Sequence, residues 1–407
     1  MLWLLAHNNE RVLGHGAVAR EVWRLYFHWY GVLSHGAFPA HDRLWQYPPG
    51  AGAVLFAPGL VPGLSYFQAF VALTLAADAL ITAALARAGR RRGRGRTLLG
   101  AAFWTGGLPL LLHLPLVRYD VEVTAFAVLS LLALSRSTRA CGALAALGAL
   151  VKVWPVLVLL GVPRGRPTRS AWLSAALTGA VTLTAFLLSF RNPLAFLRQQ
   201  GGRGVQIESL GGTALSLARH AGWRGTVRYR YGAMEFVGPH VHAVATASLA
   251  LTAAAFALLL LWRVRAGHWT AATPYDAALS AVLLFTVTSR VISPQYMIWL
   301  LGLAAVCLTS RHTTQRPVAA LIVAATAISS VAYPAYYSEV IGCTWTGCLL
   351  MLARNGLLAT AAVLSLTRLW RATRRPGAVV RIPWTTGSHI SRPLLSPAPA
   401  SLKVDRG

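Results

Sequence analysis

The sequence predicts an all-α polytopic bundle of membrane-spanning helices, and three observations carry that expectation. Of its 407 residues, 56% are hydrophobic and 12% charged, about half the charged share of an ordinary soluble domain. Mean hydropathy is +0.54, and apolar runs of about 18 residues or more recur, each long enough to cross a hydrocarbon core of about 30 Å. Finally, 38 Lys and Arg against 11 Asp and Glu give a net charge of +27, and that excess falls in clusters between apolar runs, where cytoplasmic loops collect it. Only Lys152 and Lys403 are lysine, so 36 of the 38 cations are arginine, a bias that mostly reports a GC-rich genome.

Arginine gathered on one face would suit nucleic-acid phosphates. Spread between apolar runs it marks topology and meets anionic membrane lipids, so no nucleic-acid partner is expected. Four cysteines are too few for a disulfide framework. Cys141 and Cys307 fall inside apolar runs, while Cys343 and Cys348 share a candidate outer loop, where a disulfide stays open.

Residues 1–6 are apolar but too short to span, and no basic region precedes them as a signal peptide would require. The expectation is a start codon placed late, with a whole helix upstream. Residues 1–65 then form a helix stub and a first outer loop rich in aromatics. An apolar run over 66–86 ends in Arg87, Arg90, Arg91, Arg92, Arg94 and Arg96, the strongest inner-side marker in the chain. Within the 66–190 unit, spans follow at 98–117, 121–135 and 171–190. The block 141–162 has basic loops on both sides, with Lys152 and Pro155 near its middle. Either it is a re-entrant pair of half-helices broken at Lys152-Val153-Trp154-Pro155, or it is an ordinary span with a frustrated loop. Residues 191–240 form an outer loop, and 241–367 hold further spans at 241–262, 276–289, 297–309, 317–332 and 349–366. From 368 to 407 a basic, Pro/Ser-rich tail should be disordered on the cytoplasmic side.

With only 11 acids, their distribution carries information. Eight fall on the expected outer side: Glu10, Glu21, Asp42, Asp120, Glu122, Glu208, Glu235 and Glu339. Acids do little to set orientation, so their crowding points to a polar site there. Trp23, Tyr26, Phe27, Trp29, Tyr30, Phe38, Trp45 and Tyr47 crowd the stretch from Glu21 to Gly50. Rings of this kind suit a membrane-interface belt and also suit stacking on a sugar.

The order Glu21 to Tyr26, Trp29-Tyr30, Gly36-x-Phe38-Pro39-x-x-Asp42, Tyr47-Pro48-Pro49-Gly50-Ala51 resembles glycosyltransferase family 87. Three later blocks keep the order: Arg118-Tyr119-Asp120 with Val151-Lys152-Val153-Trp154-Pro155, Gly202 to Ser209, and Ser293-Pro294-Gln295-Tyr296-x-x-Trp299. The resemblance implies a bundle of GT-C type with about 10–12 helices, in a multi-pass protein of the bacterial plasma membrane, its active site at the extracytoplasmic face. It implies transfer of a sugar, mannose in the family, from a polyprenyl-phosphate donor to a lipid or glycan acceptor with inversion. The general base would be Glu21, where the family more often carries Asp, with Asp42 as second candidate. Arg118, Arg290 and Lys152 would hold the donor phosphate, because guanidinium forks fit phosphate oxygens. Tyr26, Trp29, Tyr47, Asp120, Gln206, Glu208, Gln295 and Tyr296 would bind substrate.

No His/Cys/Asp cluster has metal-ligand spacing, so neither metal nor cofactor is expected, although a loosely bound divalent cation stays open. No Gly-rich phosphate loop is present, which favours a lipid-linked donor over a nucleotide sugar. The competing reading is a transporter or flippase for a lipid-linked saccharide. Such proteins often break helices at corresponding places in two halves, whereas here only one half has the Lys-x-x-Pro break.

Overall fold

The computed structural model describes residues 17–90, 97–199 and 204–374. The expected stub at 1–6, the arginines of the cluster after residue 90, residues 200–203, which include the first two of the motif Gly202 to Ser209, and the tail from 375 lie outside the described residues. Among those described, fifteen α-helices and a small sheet make up the protein.

Five helices are long and apolar enough to cross a membrane: Tyr66–Arg90, Arg166–Ser189, Val241–Arg265, Arg316–Ala335 and Trp345–Arg374. The remaining expected spans are shorter than the sequence suggests. Leu99–Gly107 gives way to 3-10 turns through Leu116, and Asp120–Ala133, Thr273–Thr288 and Tyr296–Leu308 have 14, 16 and 13 residues. At about 1.5 Å per residue these reach only about 20–24 Å. Their surroundings explain it. Every residue from Met297 to Leu308 is buried, so protein rather than lipid encloses this helix, and its polar ends find partners inside the bundle. The long helices stand at the periphery: Leu173, Leu177, Val181 and Leu188 of one, and Leu249, Leu251, Leu260 and Val264 of another, are exposed. Such an apolar exterior is stable only against hydrocarbon.

The block around Lys152 is a hairpin. Thr138–Val151 is helical, Lys152 and Val153 leave the helix, and a 3-10 segment Trp154–Gly161 returns. Its two ends meet at the start of Arg166–Ser189, where Thr138 Oγ1 donates to Ser170 Oγ (3.0 Å) and Thr168 Oγ1 donates to the Pro163 carbonyl (2.6 Å). The chain thus breaks at Lys152-Val153 and turns back on itself. Pro155 supplies the reason: it occupies the second position of the returning 3-10 segment, where its missing N–H costs nothing.

The described residues of the segment expected as a loop, 191–199 and 204–240, are folded. Strands Val205–Gln206 (β1), Thr226–Arg230 (β2) and Ala233–Val237 (β3) form an antiparallel sheet in the order β1-β3-β2, and helix Leu210–His220 packs beside it. Tyr231 and Gly232 make the hairpin turn, both at positive φ. Two-residue turns of this kind match the twist of the strands they join. This segment is tied to the N-terminal described segment, since Phe38 N donates to the Arg191 carbonyl and Arg191 N to that of Gly36, both at 2.9 Å.

The boundary expected at 368 is displaced. Trp345–Arg374 stays helical through Arg374 because Trp262 Nε1 donates to Thr373 Oγ1 (3.0 Å) and the Gly267 and His268 amides donate to the Thr373 carbonyl. Cys343 and Cys348 are both buried free thiols, so the disulfide left open by the sequence is not formed.

The hairpin packs tightly on its neighbour. A Cβ at Gly142 would stand 2.0 Å from the Ala171 carbonyl oxygen. Gly142→Val should cost about 1–3 kcal/mol by overpacking, read as a lowered melting temperature in detergent. Gly179→Ala, on the same partner helix with nothing within 4 Å of a new Cβ, should not. Equal melting of the two variants would refute this contact.

Candidate functional site

A cavity of about 450 Å³ opens at the end of the bundle where the Lys152 hairpin turns. One wall is the helical segment 17–34. Its stretch Glu21–Tyr26 is π-wound and Phe27–Ser34 is α-helical. Residues spaced by four share a helix face, so Glu21, Leu25 and Trp29 point inward together. Exposed Trp23 and Phe27 point away. The aromatics expected as one belt thus divide between two faces.

Asp42 does not line the cavity. Its Oδ2 accepts from Trp29 Nε1 (2.7 Å) and its Oδ1 from the Leu44 amide (2.8 Å). It therefore folds the loop that brings Gln46, Tyr47 and Pro48 to the cavity wall. Trp29 meets Trp45 and Tyr47 edge-on, with centroids 5.1 and 5.8 Å away. Tyr26 is buried behind the wall, its hydroxyl donating to Glu21 Oε1 at 3.3 Å.

Arg118 faces Glu21 across the cavity edge. It sits in the turn ahead of helix Asp120–Ala133, with Nη2 2.5 Å from Glu21 Oε2, Nε donating to Gln295 Oε1 (3.2 Å) and Nη1 to the Val117 carbonyl (3.3 Å). Burial alone would lower its pKa, but the Glu21 carboxylate and neighbouring tyrosines outweigh it, and the guanidinium is held above its ordinary value. It is permanently charged.

The floor is a second ion pair. Lys152 Nζ lies 2.6 Å from Asp120 Oδ1, between the rings of Tyr119 (4.8 Å) and Trp299 (5.1 Å). Trp299 Nε1 donates to the same carboxylate oxygen at 2.6 Å and stacks on Tyr296 and Trp154 at 3.9 and 5.1 Å. Lys152, Gln295 and Tyr296 reach the cavity, whereas Asp120 is sealed beneath them. Arg290 is not among the lining residues. Its carbonyl accepts from the Gln206 amide (3.0 Å), while Gln206 Oε1 accepts from the Ile292 amide (2.8 Å). Gln206 thereby fixes the loop that presents Ser293, Pro294 and Gln295.

Glu208 lines the cavity and is 1% exposed. Arg354 and Asn355 of helix Trp345–Arg374 both donate to its backbone carbonyl, Asn355 Nδ2 at 3.0 Å. Beside its carboxyl lie the Gln206 amide and Arg354 Nη1, the latter 3.9 Å away, and neither closes a short hydrogen bond to its oxygens. Burial pushes this carboxyl up to about 7, against the opposing pull of Arg354 and Gln206. Such a group exchanges a proton near neutral pH.

The structure thus gathers Glu21, Trp29, Tyr47, Arg118, Lys152, Gln206, Glu208, Gln295 and Tyr296 around one space, and leaves Tyr26, Asp42, Asp120 and Arg290 outside its lining. Sequence reasoning missed the rest of the lining. Tyr229, Tyr231 and Ala233 come from the hairpin, Tyr333 and Tyr337 follow helix Arg316–Ser330, and Phe196 and Leu197 come from a 3-10 turn. It also missed Arg354, for which a signal existed: an Arg-Asn pair inside an otherwise apolar helix needs an internal partner. Among the described residues, no three His, Cys, Asp or Glu gather as a metal site.

Removing Lys152 strands a buried carboxylate. Lys152→Met should destabilise the protein by about 3 kcal/mol, while adding Asp120→Asn should restore most of the loss, as measured by thermal melting in detergent. A double variant as unstable as the single one would show that the pair does not couple the hairpin to the floor.

The family model for glycosyltransferase family 87 matches residues 45–294. No curated protein and no solved structure matches the chain. The matched segment contains the hairpin, the cavity cations Arg118 and Lys152, and the strands and helix between residues 204 and 240. The chain belongs to glycosyltransferase family 87 and is a membrane glycosyltransferase.

Proposed function

We propose that this member of family 87 transfers mannose from a polyprenyl-phosphate donor to a hydroxyl of a lipid or glycan acceptor, with inversion, at the extracytoplasmic face of the bacterial plasma membrane. The observation that carries the reading is the placement of Glu21 and Arg118 side by side at one aromatic-walled cavity. A carboxylate and a permanent cation are what this reaction requires in one place. The carboxylate removes a proton as the acceptor oxygen attacks the anomeric carbon, and the cation receives the charge that builds on the departing phosphate. Attack and departure on opposite faces of the sugar invert its configuration in one displacement.

Arg118 is the principal phosphate ligand in this scheme, with Lys152 behind it. Arg290, lying off the cavity lining, has an indirect role through the loop that bears Gln295. Asp42 positions Trp29, and Asp120 positions Lys152 and Trp299. Trp29, Tyr47 and Tyr296 supply ring faces and edges for the sugar. Glu208, in its neutral form, donates to a sugar or acceptor hydroxyl from the wall held by Arg354. The outward orientation is supported by Arg87, Arg90 and Arg136, which all belong to the end of the bundle remote from the cavity, as cytoplasmic arginines would.

The test is a transfer assay in lipid nanodiscs, with radiolabelled polyprenyl-phosphate-mannose and a crude acceptor extract. Glu21→Gln should lower turnover by about 100-fold or more. Flipping of lipid-linked sugar without transfer would favour a transporter. For sidedness, a cysteine at Arg224 should react with a membrane-impermeant maleimide in intact cells and one at Arg136 only after permeabilisation. The reversed pattern would place the cavity on the cytoplasmic side.

The pH profile offers an independent check. Since Glu208 titrates at about 7 and acts here as a proton-bearing donor, kcat/KM should fall as pH rises through that value. Glu208→Gln, always neutral and able to donate, should abolish that limb. A limb that persists in the variant assigns the ionisation elsewhere.

A further inference from the structure

The pairing of Glu21 with Arg118 poses a difficulty for a transferase that uses Glu21 as its base, the reading on which this inference rests. Glu21 Oε2 is held by Arg118 Nη2 at 2.5 Å and Oε1 accepts from the Tyr26 hydroxyl at 3.3 Å. A carboxylate with both oxygens engaged, one of them by a guanidinium, is a poor base. Arg118 in turn offers its other donors to neutral groups, Gln295 Oε1 and the Val117 carbonyl. The remaining carboxylates near the cavity have cations or donors of their own: Asp120 has Lys152 and Trp299, Glu208 has Arg354, and Asp42 has Trp29. Among the described residues, Glu21 is the carboxylate that pairs with Arg118.

We propose that Arg118 is shared in time between Glu21 and the phosphate of the donor, so that arrival of the donor is what frees the base. A phosphodiester entering the cavity brings a second anion to the same guanidinium, with the bidentate geometry that Arg favours. As Arg118 turns toward it, Glu21 Oε2 is vacated and becomes able to accept the acceptor's proton.

The chemistry then drives the exchange to completion. The acceptor oxygen bonds to the anomeric carbon, and the bond from that carbon to the phosphate oxygen breaks with its electron pair going to phosphate. The acceptor's proton passes to Glu21 Oε2. Glu21 loses its charge at the moment the leaving phosphate gains one, so both changes move Arg118 in one direction. An interaction that strengthens along the reaction coordinate lowers the barrier, whereas one made equally throughout does not. Loss of the Glu21 proton to water regenerates the carboxylate, which reclaims Arg118 and displaces the polyprenyl phosphate. Donor therefore binds before acceptor, and product release is coupled to deprotonation of Glu21.

The test is the affinity of the intact protein in nanodiscs for undecaprenyl phosphate, with undecaprenol as the uncharged control. Glu21→Gln leaves Arg118 without its competitor and should bind the phosphate several-fold to about tenfold more tightly, the size expected when a partly exposed ion pair stops competing. Glu21→Asp, which keeps a carboxylate, should bind as the native protein does, and undecaprenol should not distinguish the three. Initial rates should show ordered addition with donor first. Native protein that transfers sugar while Glu21→Gln, melting normally, binds undecaprenyl phosphate no more tightly overturns the sharing alone. Native protein that transfers sugar from no polyprenyl phosphate overturns the transferase reading beneath it.

Discussion

A bilayer supplies no water to a chain that leaves the helix inside it, so every exposed amide and charge there must find a protein partner. The turn at Lys152 satisfies its cation with one carboxylate. Asp120 receives both Lys152 and the Trp299 indole on a single oxygen, which joins the hairpin, the helix that begins at Asp120 and the central helix Tyr296–Leu308 at one point. The cavity exists because these three elements converge there without filling the space above. Stacked rings of Tyr296, Trp299 and Trp154 pack against the junction, and the Asp120 carboxylate is buried there, where its interactions are strong.

Charge in this site is arranged as three separate pairs, each joining segments far apart in sequence: Glu21 with Arg118, Asp120 with Lys152, Glu208 with Arg354. Two of them are structural in geometry, buried and enclosed. The pair at the cavity edge is different, because its carboxylate is 27% exposed. Desolvation holds Lys152 at Asp120, since either partner alone would be a buried uncompensated charge. In the Glu21–Arg118 pair only the guanidinium is enclosed, at 10% exposure.

Much of the architecture was legible in the sequence because apolar runs and arginine clusters report directly on where a chain meets lipid and where it meets water. The turn at Lys152 was legible because Pro155 and two flanking basic loops left few alternatives. Helix lengths were not, since apolar composition cannot distinguish lipid from protein as a neighbour, and Met297 to Leu308 read as a span although the bundle encloses them. The sheet was hidden in a segment whose arginines and glycines obscure the alternation of short strands. For the site, ordered motifs found most of the cavity's polar residues. They also pointed to Asp42, whose side chain holds a loop, and to Arg290, which lies off the cavity lining, and they did not reach Tyr333 and Tyr337, which lie beyond the last motif and come to the cavity through tertiary folding.

The unequal helix lengths have a geometric consequence. Peripheral helices of 24 and 25 residues surround central ones of 13 and 14, a difference of about 15 Å in axial reach at the standard rise. The central helices therefore fall short of the peripheral ones, and the segments ahead of Asp120 and Tyr296, which bring Arg118 and Gln295 to the cavity, carry the chain over that difference.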